Sequence, residues 1–360
     1  MIAVPTSAED ITAAWLCSAA PEFSGVASVT AERLGEGVGM TTEIYRLTLG
    51  YGEGANGGPR TLVAKIQASI PAMRDLANAY GLYEREVLFY REIAKTISMC
   101  SPRCYVAAFN PDTDAFVLVM EDLNKTMPGD QVAGLSPAQI KVAIDQVGAL
   151  HQRWWDHREL KALEHKVQPF GTPPYCEFSA RHAAGWETFD RWLEGRCSPE
   201  LRRIGARMCT ELDRIAEDMA REPRTICHGD FRADNLMFTG GDAAEPGLTC
   251  VDWQIAMQAR GPFDIGYMMS GSVNTDVRRE HETRLLKGYH DKLVASGVTN
   301  YGFDECLYDY RRALLIGMTY LSQSGAVADL THPRTEALYD AGMKRIDAAI
   351  QDHGLAEFVG

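Results

Sequence analysis

A change in hydrophobic period near residues 121–135 constrains this 360-residue chain more than any other feature. Ahead of it lie short alternating apolar runs, Val29 to Leu34, Glu43 to Leu49, Thr61 to Gln67, Cys104 to Phe109 and Ala115 to Met120, with the two-residue repeat of a strand. Gly50 to Pro59 and Asn110 to Asp114 are rich in turn residues, so the runs predict a mostly antiparallel sheet. One helical pattern is set into it at 72–96, and a short helix precedes it, where Ser7 and Asp10 form a capping box before Ile11 to Leu16. Beyond the change, apolar residues recur every three to four positions over 136–156, 180–194, 198–221, 276–296 and 303–323. Ser136, Pro137 and Gln139 mark a clear helix start. Asn124, Pro128, Gly129 and Gly134 read as the linker. The expectation is an α+β chain in two lobes, a β-rich one over 1–122 and a larger, mainly helical one over 123–360.

Charge and cysteines narrow the function classes. A net charge of −13 disfavours a nucleic-acid partner, since backbone phosphates call for Lys and Arg. The nine cysteines are scattered, with only Cys100 and Cys104 close together, which suits reduced thiols in a cytoplasmic protein. Met1 to Asp10 lacks the basic segment and apolar run of a signal peptide, and no apolar stretch is long enough for a membrane span.

Within the helical half, one β-rich interruption, Ile226 to Phe238 and Leu248 to Trp253, carries the strongest motif. It reads His228-Gly-Asp230-Phe-Arg232-Ala-Asp-Asn235-Leu-Met-Phe238, followed by Cys250-Val-Asp252-Trp-Gln254. Phosphoryl transfer asks for one carboxylate to orient a hydroxyl and take its proton. It also asks for a carboxylate and an amide oxygen to hold Mg2+ against the phosphates of ATP. An Asp followed five residues later by Asn lets one tight loop present both groups, and the strand ending at Val251 supplies the second carboxylate. As isolated turn residues these aspartates would mean little; the combined spacing is far more specific.

The string His228-Gly-Asp230-x4-Asn235, then Val251-Asp252-Trp-Gln254, then Gly261-Pro-Phe-Asp264-Ile-Gly-Tyr267, resembles the aminoglycoside phosphotransferase/choline kinase superfamily, and within it the ecdysteroid-kinase-like branch. The resemblance covers roughly residues 30–325, with its specific motifs in 228–272. It implies a protein-kinase-like fold, ATP as donor, a small-molecule hydroxyl as acceptor, Asp230 as catalytic base, and Asn235 and Asp252 as metal ligands. Asp252-Trp-Gln254 stands where protein kinases have Asp-Phe-Gly, and no Ala-Pro-Glu signature follows, so protein substrates are not expected. Arg232 has two readings: a cation for the transferring phosphoryl group, or a loop partner of Asp234.

The upstream half then offers a grip for ATP. Gly35, Gly37 and Gly39 lie in a turn between strands and would let backbone amides approach phosphates, although alone they read as a plain hairpin. Lys65 sits mid-strand among apolar neighbours, either as a phosphate ligand or as an edge lysine. Leu82, Glu86, Phe89 and Ile93 share a helical face, which makes Glu86 the favoured partner of Lys65 over Glu84. By the resemblance, Glu121 and Leu123 mark the hinge whose backbone would meet adenine. His151 reads as a core histidine, and Asp264 as a helix cap or a brace for the loop. Trp154, Trp155, Trp186, Trp192, Tyr175, Tyr267, Met268 and Met269 are candidates for an apolar acceptor pocket or for plain core. A nucleotide- or partner-binding module without activity is the competing function class.

Overall fold

The alternation read from the first third of the chain becomes a five-stranded sheet. The computed structural model describes residues 3–34, 41–54, 57–97, 99–240, 245–325 and 328–360, which fall into two units. The first unit holds 1–96, 101–125 and 253–255. It contains α1 (Ala13–Ala19), β1 (Val26–Leu34), β2 (Thr42–Tyr51), β3 (Thr61–Gln67), α2 (Pro71–Ala79), α3 (Leu82–Leu88), β4 (Cys104–Asn110) and β5 (Ala115–Glu121). The strands run in the order β1-β2-β3-β5-β4, every pair antiparallel. Leu62, Ala64 and Ile66 alternate inward from β3 and meet Leu47, Leu49, Val117 and Val119, with Leu16 and Phe23 closing that core. Full burial of side chains of this size contributes about 1.5–3 kcal/mol each. The opposite face carries Lys65, Phe116 and Leu118, and there Tyr83 of α3 stacks on Phe116 with ring centroids 4.8 Å apart.

The helical pattern at 72–96 is broken rather than continuous. Gly81 takes φ +63°, a left-handed conformation that ends α2 and starts α3, and a π turn at Phe89–Ile93 follows α3. Leu82, Glu86, Phe89 and Ile93 all stay buried through these changes of winding.

The second unit holds 97–100, 126–252 and 256–360. Its elements are β6 (Met127–Pro128), α4 (Pro137–Trp154), α5 (Leu160–Leu163), α6 (Phe178–Leu193), α7 (Pro199–Met219), β7 (Thr225–Cys227), β8 (Leu236–Thr239), β9 (Gly247–Cys250), β10 (Met257–Ala259), α8 (Pro262–Ser272), α9 (Thr275–Ala295), α10 (Phe303–Gly325) and α11 (Pro333–His353). The short strands form a β7–β10 pair and a β6-β8-β9 sheet. Every residue of α8 is buried. It packs tightly on α10, because a side chain at Gly266 would meet Ala313 Cβ at 2.6 Å and the Tyr310 carbonyl at 2.9 Å. The sequence expectations stop at residue 323. The structure adds α11, whose buried Tyr339, Met343, Ile346 and Ile350 follow the helical repeat. Among the described residues no helix is long and apolar enough to cross a membrane.

Candidate active site

The loop between β7 and β8 builds the centre of the site in the second unit. Gly229 adopts φ +88°, which turns the chain sharply after His228. Asp264, fully buried in the first turn of α8, then accepts both loop amides, His228 N at 2.8 Å and Gly229 N at 3.0 Å. The Asp230 amide donates to His228 Nδ1 at 3.2 Å, which leaves the proton on Nε2 to reach the Val251 carbonyl at 3.0 Å. One histidine thus ties the loop to the segment that carries Asp252.

Asp230 receives three side-chain donors. Arg232 Nε lies 3.1 Å and Asn235 Nδ2 2.9 Å from Oδ2, and the Tyr267 hydroxyl lies 2.8 Å from Oδ1. Burial pushes the Asp230 carboxyl up, but the Arg232 guanidinium and the Tyr267 hydrogen bond outweigh it and hold the group below the usual carboxylate value. Asp230 is therefore ionised at neutral pH. Burial first, and the neighbouring Asp230 charge second, push the Tyr267 phenol far up, so it stays protonated as the donor. Arg232 also reaches Asp234 at 3.0 Å and Gln131 Oε1 at 3.2 Å, and the first of these is the contact of the loop-partner reading.

Asn235 uses Nδ2 twice, toward the Asp230 carbonyl and Oδ2, both at 2.9 Å. Its amide is thereby oriented with Oδ1 outside both hydrogen bonds. The Asn235 carbonyl accepts from Val251 N at 3.0 Å, so Asp252 directly follows a residue bonded to Asn235. Asp252 is held at φ +66°, a left-handed conformation that costs a non-glycine residue about 1–3 kcal/mol and is typical of functional sites. An amide oxygen and a carboxylate form an all-oxygen donor set of the kind Mg2+ prefers, so these two residues fit that ion. A second cluster, His151, Cys227 and Asp264, does not fit a metal. Its His151 nitrogens are committed to Tyr289 Oη at 3.0 Å and Asp264 Oδ2 at 3.2 Å, and Asp264 serves the loop amides. His151 is a core histidine that steadies the brace.

In the first unit, Lys65 Nζ lies 2.9 Å from Glu86 Oε1 and 2.8 Å from Oε2, and both residues are buried. Glu84 is exposed. Trp253, fully buried, stacks on Phe89 at 3.8 Å between centroids, and the Gln254 carbonyl accepts from Arg85 at 3.3 Å. Glu121 ends β5, paired with Leu62, and its side chain accepts the Arg103 amide at 2.8 Å; Leu123 lies in the loop beyond. Gly35, Gly37 and Gly39 lie outside the described residues. Of the aromatic and methionine candidates, Trp154, Trp186, Met268 and Met269 are buried core residues, and Tyr267 is the one that touches Asp230. Two contacts on the loop were not anticipated as such. Tyr267 stands one helical turn after Asp264, so the two share a face of α8, a signal available in the sequence; Gln131 carries no such signal.

The small antiparallel sheet, the helical unit and the loop between β7 and β8 define the class: this is the fold of the kinase-like phosphotransferases. Three solved structures show it. A protein from Ralstonia eutropha JMP134 described as an aminoglycoside phosphotransferase matches with a TM-score of 0.54 and 18% identity, over 94% of this chain and 96% of that one. The GDP and kanamycin complex of APH(2")-IIIa matches with 0.53 and 14%, over 94% and 97%. A microcompartment-associated aminopropanol kinase matches with 0.52 and 16%, over 92% and 93%. None of the curated proteins matches the sequence. The profile of the ecdysteroid kinase-like family matches residues 36–299, and the chain belongs to that family.

Proposed function

We propose that this chain transfers the γ-phosphoryl group of ATP to a hydroxyl of a small molecule. The observation that carries the proposal is the hydrogen-bonded set around Asp230, in which Arg232, Asn235 and Tyr267 fix one ionised carboxylate. Asp230 orients the acceptor hydroxyl and takes its proton as the new P–O bond forms. A carboxylate held below its ordinary pKa is a weak base, which suits a transfer where positioning outweighs early proton abstraction. Asn235 Oδ1 and the Asp252 carboxylate would hold Mg2+, which when bound neutralises phosphate charge. Arg232 offers a cation beside Asp230 for the charge on the transferring group. Lys65, kept in place by Glu86, pairs with donor phosphates, and Glu121 and Leu123 present backbone to the adenine.

For the acceptor, the aromatic residues beside Asp230 are the guide. The Tyr267 ring meets Tyr320 edge-on at 5.2 Å, which favours a hydroxyl on a compound with an apolar face over a polycation. The names of two neighbours mention other compounds, kanamycin in a complex and aminopropanol in the name of a kinase. The test is ADP release from Mg-ATP, and from Mg-GTP in parallel, across a panel of hydroxyl-bearing compounds. Acceptor-dependent turnover is expected for the wild type, with a loss of at least about 100-fold in Asp230→Asn. Nucleotide binding with no acceptor-dependent turnover anywhere would favour the inactive-module reading.

A further inference from the structure

The hydrogen bonds on Asp230 leave an asymmetry that the phosphotransferase reading does not itself require. An ionised carboxylate offers about four lone-pair positions. Oδ2 takes two donors, Arg232 Nε and Asn235 Nδ2, while Oδ1 takes one, the Tyr267 hydroxyl at 2.8 Å. Among the described residues no further donor reaches either oxygen, so one position remains, and it lies on Oδ1. Tyr267 cannot swing away from the other. The residue is 6% exposed, its helix is buried along its whole length, and its ring is flanked by Tyr320 at 5.2 Å and Phe263 at 6.3 Å.

The geometry points to Tyr267 as the residue that sets the choice between alcohol and water at Asp230; the inference rests on the phosphotransferase reading above. The hydroxyl fills the position on Oδ1 that a water would otherwise take, so that the base accepts one incoming hydroxyl at a time. In the wasteful reaction, a water oxygen forms a bond to the γ-phosphorus. The bond from that phosphorus to the β,γ-bridging oxygen breaks, ADP leaves with the electron pair, and the water proton passes to Asp230 and on to solvent. Tyr267 acts through Asp230 and is thus a positioning residue.

The experiment uses the full chain with Mg-ATP and no acceptor. Tyr267→Phe keeps the ring and deletes the donor, and Tyr267→Met serves if the first variant does not fold. Either is expected to raise kcat for ATP hydrolysis about fivefold or more, with KM for ATP and the Mg-ATP-induced rise in melting temperature unchanged. Adding Asp230→Asn is expected to return hydrolysis to the level of Asp230→Asn alone. Hydrolysis equal to or below wild type in a folded, Mg-ATP-binding variant overturns the role of Tyr267 and leaves the phosphotransferase reading standing. A rise that survives Asp230→Asn overturns it too, because the effect would not pass through the base. Failure of the wild type itself to bind Mg-ATP would overturn both.

Discussion

Asp230 shows how neighbours decide what a side chain does. Burial alone would favour its neutral form, and Arg232 and Tyr267 reverse that preference, leaving a carboxylate that can hold a hydroxyl in a defined direction. The Lys65–Glu86 pair follows the opposite logic. Two buried charges lose hydration, and their attraction must offset that cost, so removing one partner is expensive. Glu86→Gln keeps the shape and deletes the charge. It is expected to lower stability by about 3 kcal/mol and to raise KM for ATP about tenfold, with a much smaller change in kcat; denaturant melts and initial rates check the two effects. An unchanged KM in a stable variant would count against a phosphate-binding role for Lys65. The identity of this pair was readable from the sequence because a carboxylate in an apolar helical stripe needs a partner. The orientation of the Asn235 amide was not, since it follows from a hydrogen bond to a carbonyl in the folded loop.

At the scale of elements, α8 and α11 carry functions that periodicity alone understates. The α8 helix supplies Asp264 to the loop amides and, one turn later, Tyr267 to Asp230, and Gly266 between them lets it lie against α10. The α11 helix is latched to α9 and α10 by a polar network that is buried at Arg278, Glu282 and Tyr310 and reaches the surface at Arg279 and Asp352. Arg278 and His353 bond Glu282, Tyr310 donates to it at 2.8 Å, and Asp352 pairs with Arg278 and Arg279. Burial pushes the Glu282 carboxyl up, but His353, Arg278 and Tyr310 hold it below its ordinary value. A lowered pKa in the folded state means stability that is fully present above the ordinary carboxylate range and lost as pH falls through the folded value. Glu282→Gln is therefore expected to cost about 3 kcal/mol at neutral pH, with the gap to wild type closing below pH ~4.5. A gap that stays constant down to pH 3 in urea titrations would show that the charge of Glu282 is not what holds the latch. The chain order alone left α11 unread because its apolar residues are diluted by charged ones, and the polar partners that hold it lie on α9 and α10.

On the scale of the whole molecule, the change of period near 121–135 spans the step at 125–126 where the chain passes from the first unit to the second, and strand and helix repeats bury different patterns of residues on its two sides. It did not anticipate the exchange of short segments: 97–100 belongs with the helical unit and 253–255 with the sheet unit. Trp253 explains the second, since its stacking on Phe89 anchors the residues after Asp252 to the sheet unit. The string from His228 to Asn235 stood out in the sequence because the proposed chemistry demands fixed spacing, whereas the acceptor remained illegible because several of its aromatic candidates are also core residues. The proposed activity depends on Asp230 as the group that would direct the phosphoryl transfer. The most direct measurement is mass detection of phosphorylated small molecules after incubation of a metabolite extract with Mg-ATP and either the wild type or Asp230→Asn. The account predicts at least one hydroxyl compound that gains a single phosphoryl group with the wild type and not with the variant. Equal product from both proteins, with the variant folded and binding Mg-ATP, would contradict it.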